Sequence, residues 1–293
     1  MTQKQTRAES KAYGIYKVYV TISCTCCHAR GGYVTVKVDE HSFIKDRGEN
    51  MRIAVTYNVK ELPVGYRMLV LSSIKEALKL GDKAYFERLY ASKERQAKPF
   101  SFATFLKEFS YEGEKISLSE MTVTVSSPDM EFLVHLFNGL QQMKCYKMRT
   151  TEWHMREMKW LKEVDIQRET AYFRTMAPLL VEDRFGRPIH PGDTAYIEEL
   201  CYYAITRIEA LAGRKPYRSI SITPGRLKKR VIKESNTTFR AQRSNKHLMF
   251  TAYHGTYKIS GHPKDLQLLY QGGLGRRVSQ GFGLLEYVGE KGA

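Results

Sequence analysis

From Met51 onward the apolar positions alternate between strand and helix periods in a readable order. Met51 to Tyr57 reads as a strand, and Pro63-Val64-Gly65 leads into a helix near Tyr66 to Leu80 with Leu69, Val70, Ile74, Ala77 and Leu78 on one face. Ser101 to Tyr111 and Lys115 to Val125 read as two strands joined at Glu112-Gly113-Glu114 as a hairpin. Ser126-Ser127-Pro128-Asp129 reads as a cap, a second helix runs to about Gln142, and Met148 to Val164 forms a long final strand. The order is βαββαβ, the ferredoxin-like unit.

The second half repeats the order with less clarity. Tyr172 to Val181 reads as a strand, and Thr194 to Leu211 as a helix with Ile197, Leu200, Cys201, Ala204, Ile205 and Ile208 inward. A basic tract holding one or two strands follows, then a strand from His247 to Ser260, a short helix from Pro263 to Tyr270 and a last strand from Phe282 to Val288. The pattern predicts an α+β protein with domains at 51–165 and 170–293, divided near Asp165 to Glu169. Residues 1–50 are expected to lie outside the evolved fold, as an extension or a mis-called start. The first strand already begins with Met51, and Asp46-Arg47-Gly48-Glu49-Asn50 can be encoded by a purine-rich stretch like a bacterial ribosome-binding site.

At 293 residues, with 42% apolar and 12% aromatic content, the chain is long enough for two ordinary cores. Its 47 Lys and Arg against 31 Asp and Glu give a formal charge of +16, which favours an acidic partner such as nucleic acid or an anionic membrane. Omitting residues 1–50 takes away eight basic and five acidic residues and leaves +13, so that inference stands without them. Between Gly213 and His247 there are eleven basic residues and one acidic residue, Glu234. A tract so one-sided repels itself unless a polyanion neutralises it. Lys228, Lys229, Arg230, Arg240 and Arg243 are its candidate RNA contacts. Tyr202, Tyr203 and Tyr217 flank it and can stack on bases, although helix burial accounts equally for the first two.

No run reaches transmembrane length and no secretory leader is evident, so a cytoplasmic protein is expected. Cys24, Cys26 and Cys27 are bunched while Cys145 and Cys201 stand alone, which makes neither a disulfide framework nor a paired zinc motif. The bunched cysteines with His28 can ligate a metal, but they fall before Met51. No metal and no cofactor is expected. His135 reads as a packed helix residue, and His154, His247, His254 and His262 lack metal-ligand or HExxH spacing and are given no catalytic role. Met143, Met148, Met155 and Met158 around Trp153 and Trp160 read as core filling.

The most specific feature is Gly272-Gly273-Leu274-Gly275-Arg276-Arg277-Val278-Ser279-Gln280-Gly281-Phe282-Gly283. Glycine permits positive φ and close backbone approach, so free N–H groups here can form an anion nest that the arginines reinforce. The loop follows a helix, precedes a strand and lacks a GK[ST] ending, which fits the nucleotide-cofactor loops badly. Its form resembles the C-terminal signature of the CRISPR-associated repeat-processing endoribonucleases, the Cas-six family. Lys98-Pro99-Phe100-Ser101-Phe102 resembles that family's motif at the start of its second strand, and Met176-Ala177-Pro178-Leu179 its mid-chain segment.

The resemblance implies two tandem ferredoxin-like domains with a C-terminal glycine-rich loop. It further implies metal-independent cleavage of CRISPR precursor RNA within its repeats by 2′-hydroxyl attack, and guide RNA and other Cas proteins of an interference complex as partners. On this reading Gly273, Gly275, Arg276, Arg277, Ser279, Gly281 and Gly283 contact RNA. The family places a tyrosine on the first helix, a histidine just after it and a lysine at the next strand. Lys98 matches the lysine, whereas no histidine lies between Tyr57 and Lys98, and its place falls near Tyr90. Lys75, Tyr90 and Lys98 are therefore the candidate catalytic residues. A non-catalytic repeat-RNA-binding relative and a general single-stranded RNA-binding protein remain alternatives.

Overall fold

The computed structural model describes residues 52–91, 97–148, 151–234 and 248–289, which belong to one compact unit. Residues 1–50, Arg240 and Arg243 lie outside the described residues.

In the first half the elements are β1 (Arg52–Asn58), β2 (Glu61–Pro63), α1 (Arg67–Gly81), α2 (Lys83–Ala91) and β3 (Ser101–Lys107). They continue with β4 (Ser110–Glu112), β5 (Lys115–Ser117), β6 (Glu120–Ser126), α3 (Met130–Gln142), β7 (Cys145–Met148) and β8 (Thr151–Leu161). The antiparallel sheet runs β3-β6-β1-β8-β7, the ferredoxin-like order with β7 added at one edge. Alternation turns Ile53, Val55 and Tyr57 of β1 onto α1 and α3, whose Ile74, Leu78, Leu133 and Leu136 close the core. Asp129 caps α3 by accepting from the Phe132 N–H. The two helices touch backbone to backbone, since a Cβ on Gly139 would fall 1.7 Å from the Ala77 carbonyl oxygen.

Three local features differ from the pattern. The expected single hairpin is broken at Glu108, which takes a left-handed φ of 50°, and its tip (β4 and β5) joins β2 in a separate three-stranded sheet. That tip lays Ile116 over the end of the core. The expected long strand from Met148 is β8, with β7 pairing against it as an added strand, and α2 is an additional helix.

In the second half, β9 (Thr170–Thr175), α4 (Thr194–Ala212), β10 (Ser221–Glu234), β11 (Leu248–Ser260), α5 (Pro263–Gly272) and β12 (Leu285–Gly289) give the order β10-β11-β9-β12. This is the same ferredoxin-like order, so the fold is α+β with two such units in tandem. On α4 the buried side chains are Tyr196, Leu200, Ala204, Arg207 and Ile208, while Ile205 is exposed, contrary to expectation, and Tyr202 is exposed, so burial does not account for it. Arg207, on the inward side, reaches between the two halves. No helix among the described residues is long and apolar enough to cross a membrane.

Candidate active site and nucleic-acid interface

Three segments distant in sequence meet where the halves join. The Gly283 N–H donates to Pro178 O at 3.1 Å and Met176 N–H to Leu284 O at 2.7 Å, tying the mid-chain segment to the glycine loop. A Cβ on Gly281 would stand 2.7 Å from the Phe102 ring, and one on Gly273 2.9 Å from Ser101 Cβ. Arg207 donates to Lys98 O at 2.8 Å, Phe100 O at 3.3 Å and Gly272 O at 2.7 Å. Burial brings its guanidinium down to about 10, which leaves it charged near neutrality. A buried cation without such acceptors costs several kcal/mol, on the order of 3–5, so these carbonyls fix the segment that begins β3 against the end of α5. Arg52, Glu163 and Gln271 form a second buried link. Arg52 Nε donates to Glu163 Oε1 at 3.0 Å and Gln271 Nε2 donates to Glu163 Oε2 at 2.9 Å.

That segment carries Lys98. Its Nζ lies 4.9 Å from the centre of the Tyr90 ring, and Lys75 Nζ lies 4.7 Å from the same ring. α1 supplies Lys75, α2 supplies Tyr90, and Lys98 also donates to the Leu89 carbonyl. Burial and then the neighbouring Lys75 lower the pKa of Lys98 below the ordinary lysine value. An ammonium so placed gives up its proton more readily while its partner attracts phosphate. The Tyr90 hydroxyl is buried, has no hydrogen-bond partner among the described residues, and is raised by burial well above its usual range. Tyr90 thus offers the lysines its ring face rather than a proton.

The glycine loop does not form an open row of amides. The N–H groups of Leu274, Arg276, Gln280, Gly281 and Gly283 all donate to backbone carbonyls, and Gly273, Gly281 and Gly283 are buried. These glycines serve close packing within the protein. Gly275, Arg276, Arg277 and Ser279 remain partly accessible, with Arg276 3.2 Å and Arg277 3.7 Å from the buried Glu182 carboxylate. Gly281 has φ of 86°, so Gly281→Val adds a branched side chain to a left-handed backbone and drives it into Phe102. The expected loss is about 3 kcal/mol, read as a lower midpoint in urea unfolding. Unchanged stability would contradict the packing role.

Lys228, Lys229 and Arg230 are exposed on β10, an edge strand. Lys228 stands opposite His254, whose pKa is lowered by burial first and then by Arg230, Arg174 and Lys228. His254 Nδ1 is 2.8 Å from Thr175 Oγ1. Charges gathered this closely on one side of a sheet suit a phosphate backbone. Sequence reasoning assigned no role to Arg174, His254 or Arg207, because their partners lie on other elements. Arg184, Tyr202, Tyr203 and Arg276 line a cleft of about 430 Å³ together with Asp183 and Glu199. Alanine at Lys228, Lys229 and Arg230 should weaken RNA binding and flatten its salt dependence, by about 0.9 or less in log–log slope per lost phosphate contact. An unchanged slope in the folded variant would leave the tract as a solvated face.

Fold and site together describe a tandem ferredoxin-like protein with a lysine pair beside its joint and a basic edge strand. Residues 161–287 match the family model described as CRISPR associated protein Cas6, C-terminal, and the chain resembles that family. A solved structure of a Cas6-related protein from Pyrococcus furiosus is similar at 17% identity and a TM-score of 0.68, covering 83% of this chain and 100% of that chain. A RAMP protein described as binding different RNA substrates gives 17% identity and a TM-score of 0.67, covering 81% and 99%. A CRISPR associated protein Cas6 gives 18% identity and a TM-score of 0.63, covering 82% and 100%. At these identities the likeness concerns the fold. No curated protein matches the chain.

Proposed function

We propose that the chain is an endoribonuclease that cuts CRISPR precursor RNA within its repeats and acts in the cytoplasm. The 2′-oxygen attacks the adjacent phosphorus, the bond from phosphorus to the 5′-oxygen breaks, and a cyclic phosphate and a 5′-hydroxyl result. Lys98 moves a proton on this path, Lys75 contributes an ammonium group to the charge developing on phosphate, and the Tyr90 ring holds both in place. Two lysines can supply that charge without a metal. One observation carries the reading: Lys75 and Lys98 converge on Tyr90, with the pKa of Lys98 lowered, in a chain whose residues 161–287 match Cas6.

Repeat RNA incubated with the protein in EDTA should yield fragments ending in cyclic phosphate and 5′-hydroxyl. Fragments that appear only with Mg²⁺, or that carry a 5′-phosphate, would overturn the mechanism. A second reading, a non-catalytic repeat-RNA-binding protein, draws on the buried Tyr90 hydroxyl, which stands where the resembled family has histidine. It predicts tight binding and intact RNA. Other Cas proteins of an interference complex are the proposed further partners.

A further inference from the structure

The β7–β8 hairpin sets three ligand-type side chains together on an outer face. Tyr146 and Trp153 pair across the strands and fill the core against the helices, so their neighbours Cys145, Lys147, Glu152 and His154 point the other way. Cys145 stands directly opposite His154, and Glu152 lies two residues along β8 on the same face. We propose that Cys145, Glu152 and His154 bind one zinc ion as a clip on this edge hairpin, independently of RNA cleavage.

The geometry is close to that of a bound ion. The Cys145 Sγ is 3.4 Å from Glu152 Oε1, His154 Nε2 is 3.2 Å from the same oxygen, and all three ligand atoms lie within 4.8 Å of one another. Tetrahedral zinc with bonds near 2.0–2.3 Å places its ligand atoms about 3.4 Å apart, so only the sulfur and the imidazole nitrogen need draw closer. Lys147 Nζ, 3.5 Å from Glu152 Oε2, occupies the other carboxylate oxygen and leaves Oε1 to the ion. A set of one sulfur, one nitrogen and one oxygen suits zinc and excludes magnesium and calcium, which take oxygen shells; water completes the fourth position. On binding, the Cys145 thiol forms its sulfur–metal bond and releases one proton to solvent, so affinity should rise with pH.

Sequence spacing hides the site because its ligands sit on two strands joined by register. All three residues are exposed, so their replacement leaves the core intact.

The test uses the full chain with Cys24, Cys26 and Cys27 replaced by serine in every arm, so that these thiols cannot contribute. Titration with Co²⁺ should raise a thiolate-to-cobalt charge-transfer band that saturates at one equivalent and disappears on adding Zn²⁺. Cys145→Ser should abolish the band, and Glu152→Gln and His154→Ala should each weaken Co²⁺ binding at least tenfold. Zinc should also raise the melting temperature of the parent and leave that of Cys145→Ser unchanged. The absence of a thiolate band in the parent, its survival in Cys145→Ser, or unchanged affinity in both Glu152→Gln and His154→Ala would overturn the proposal. None of these readouts involves RNA, so failure here is distinct from failure of the cleavage reading.

Discussion

Repeat RNA whose scissile nucleotide carries hydrogen in place of the 2′-hydroxyl should bind with unchanged affinity and should not be cut. The loss is expected to be complete because the nucleophile belongs to the substrate. Lysine side chains can deprotonate a hydroxyl and hold charge on phosphate, yet neither action helps when no oxygen is present to attack. Single-turnover cleavage of the two RNAs side by side in EDTA, with affinity measured separately, checks it. Cutting of the deoxy substrate would make water or a side chain the nucleophile and remove the proposed mechanism. If both RNAs bind tightly and neither is cut, the non-catalytic reading takes its place.

Elements with a complete apolar period were legible in the sequence. α1 and α3 each bury a continuous stripe, and both units keep the ferredoxin-like strand order. α2 was not, because it spans nine residues and its Tyr85, Phe86, Leu89 and Tyr90 face, although packed against the core, contains one buried residue, Tyr85. β7 was missed because its four residues carry one buried side chain, Tyr146, too few to mark a strand period. The glycine loop was legible, but what its glycines approach was not. Close approach to a ligand and close approach to Phe102 require the same residue, and sequence cannot separate them. Arg207 looked like an ordinary surface position on α4, since its acceptors are carbonyls at Lys98, Phe100 and Gly272. Glu234, the one acidic residue of the basic tract, is likewise turned inward. It lies 3.7 Å from Arg67, and burial pushes its carboxyl up to about 7.

Lys98→Ala should slow single-turnover cleavage on the order of a hundredfold while RNA affinity stays within a few fold, the scale expected for one group that moves a proton or holds charge in the transition state. Lys98→Arg separates the two roles. Arginine keeps the charge but does not deprotonate, so it should fail to restore the rate if Lys98 transfers a proton and restore much of it if charge alone matters. The pH profile gives the same distinction with a sign. A lysine acting as base must be neutral, so the rate should climb with pH and level off at the lowered pKa of Lys98. Lys75→Ala removes one of the two causes of that lowering, the other being burial, and should move the rising limb to higher pH. Tyr90→Phe keeps the ring that both ammonium groups contact and loses only a buried hydroxyl, so it should cleave near the wild-type rate, whereas Tyr90→Ala should not. If Lys98→Ala, Lys75→Ala and Tyr90→Ala all cleave normally, the reacting phosphate does not visit this cluster. His254, half-buried among Arg230, Arg174 and Lys228 with its pKa lowered, then becomes the group best placed to move the proton.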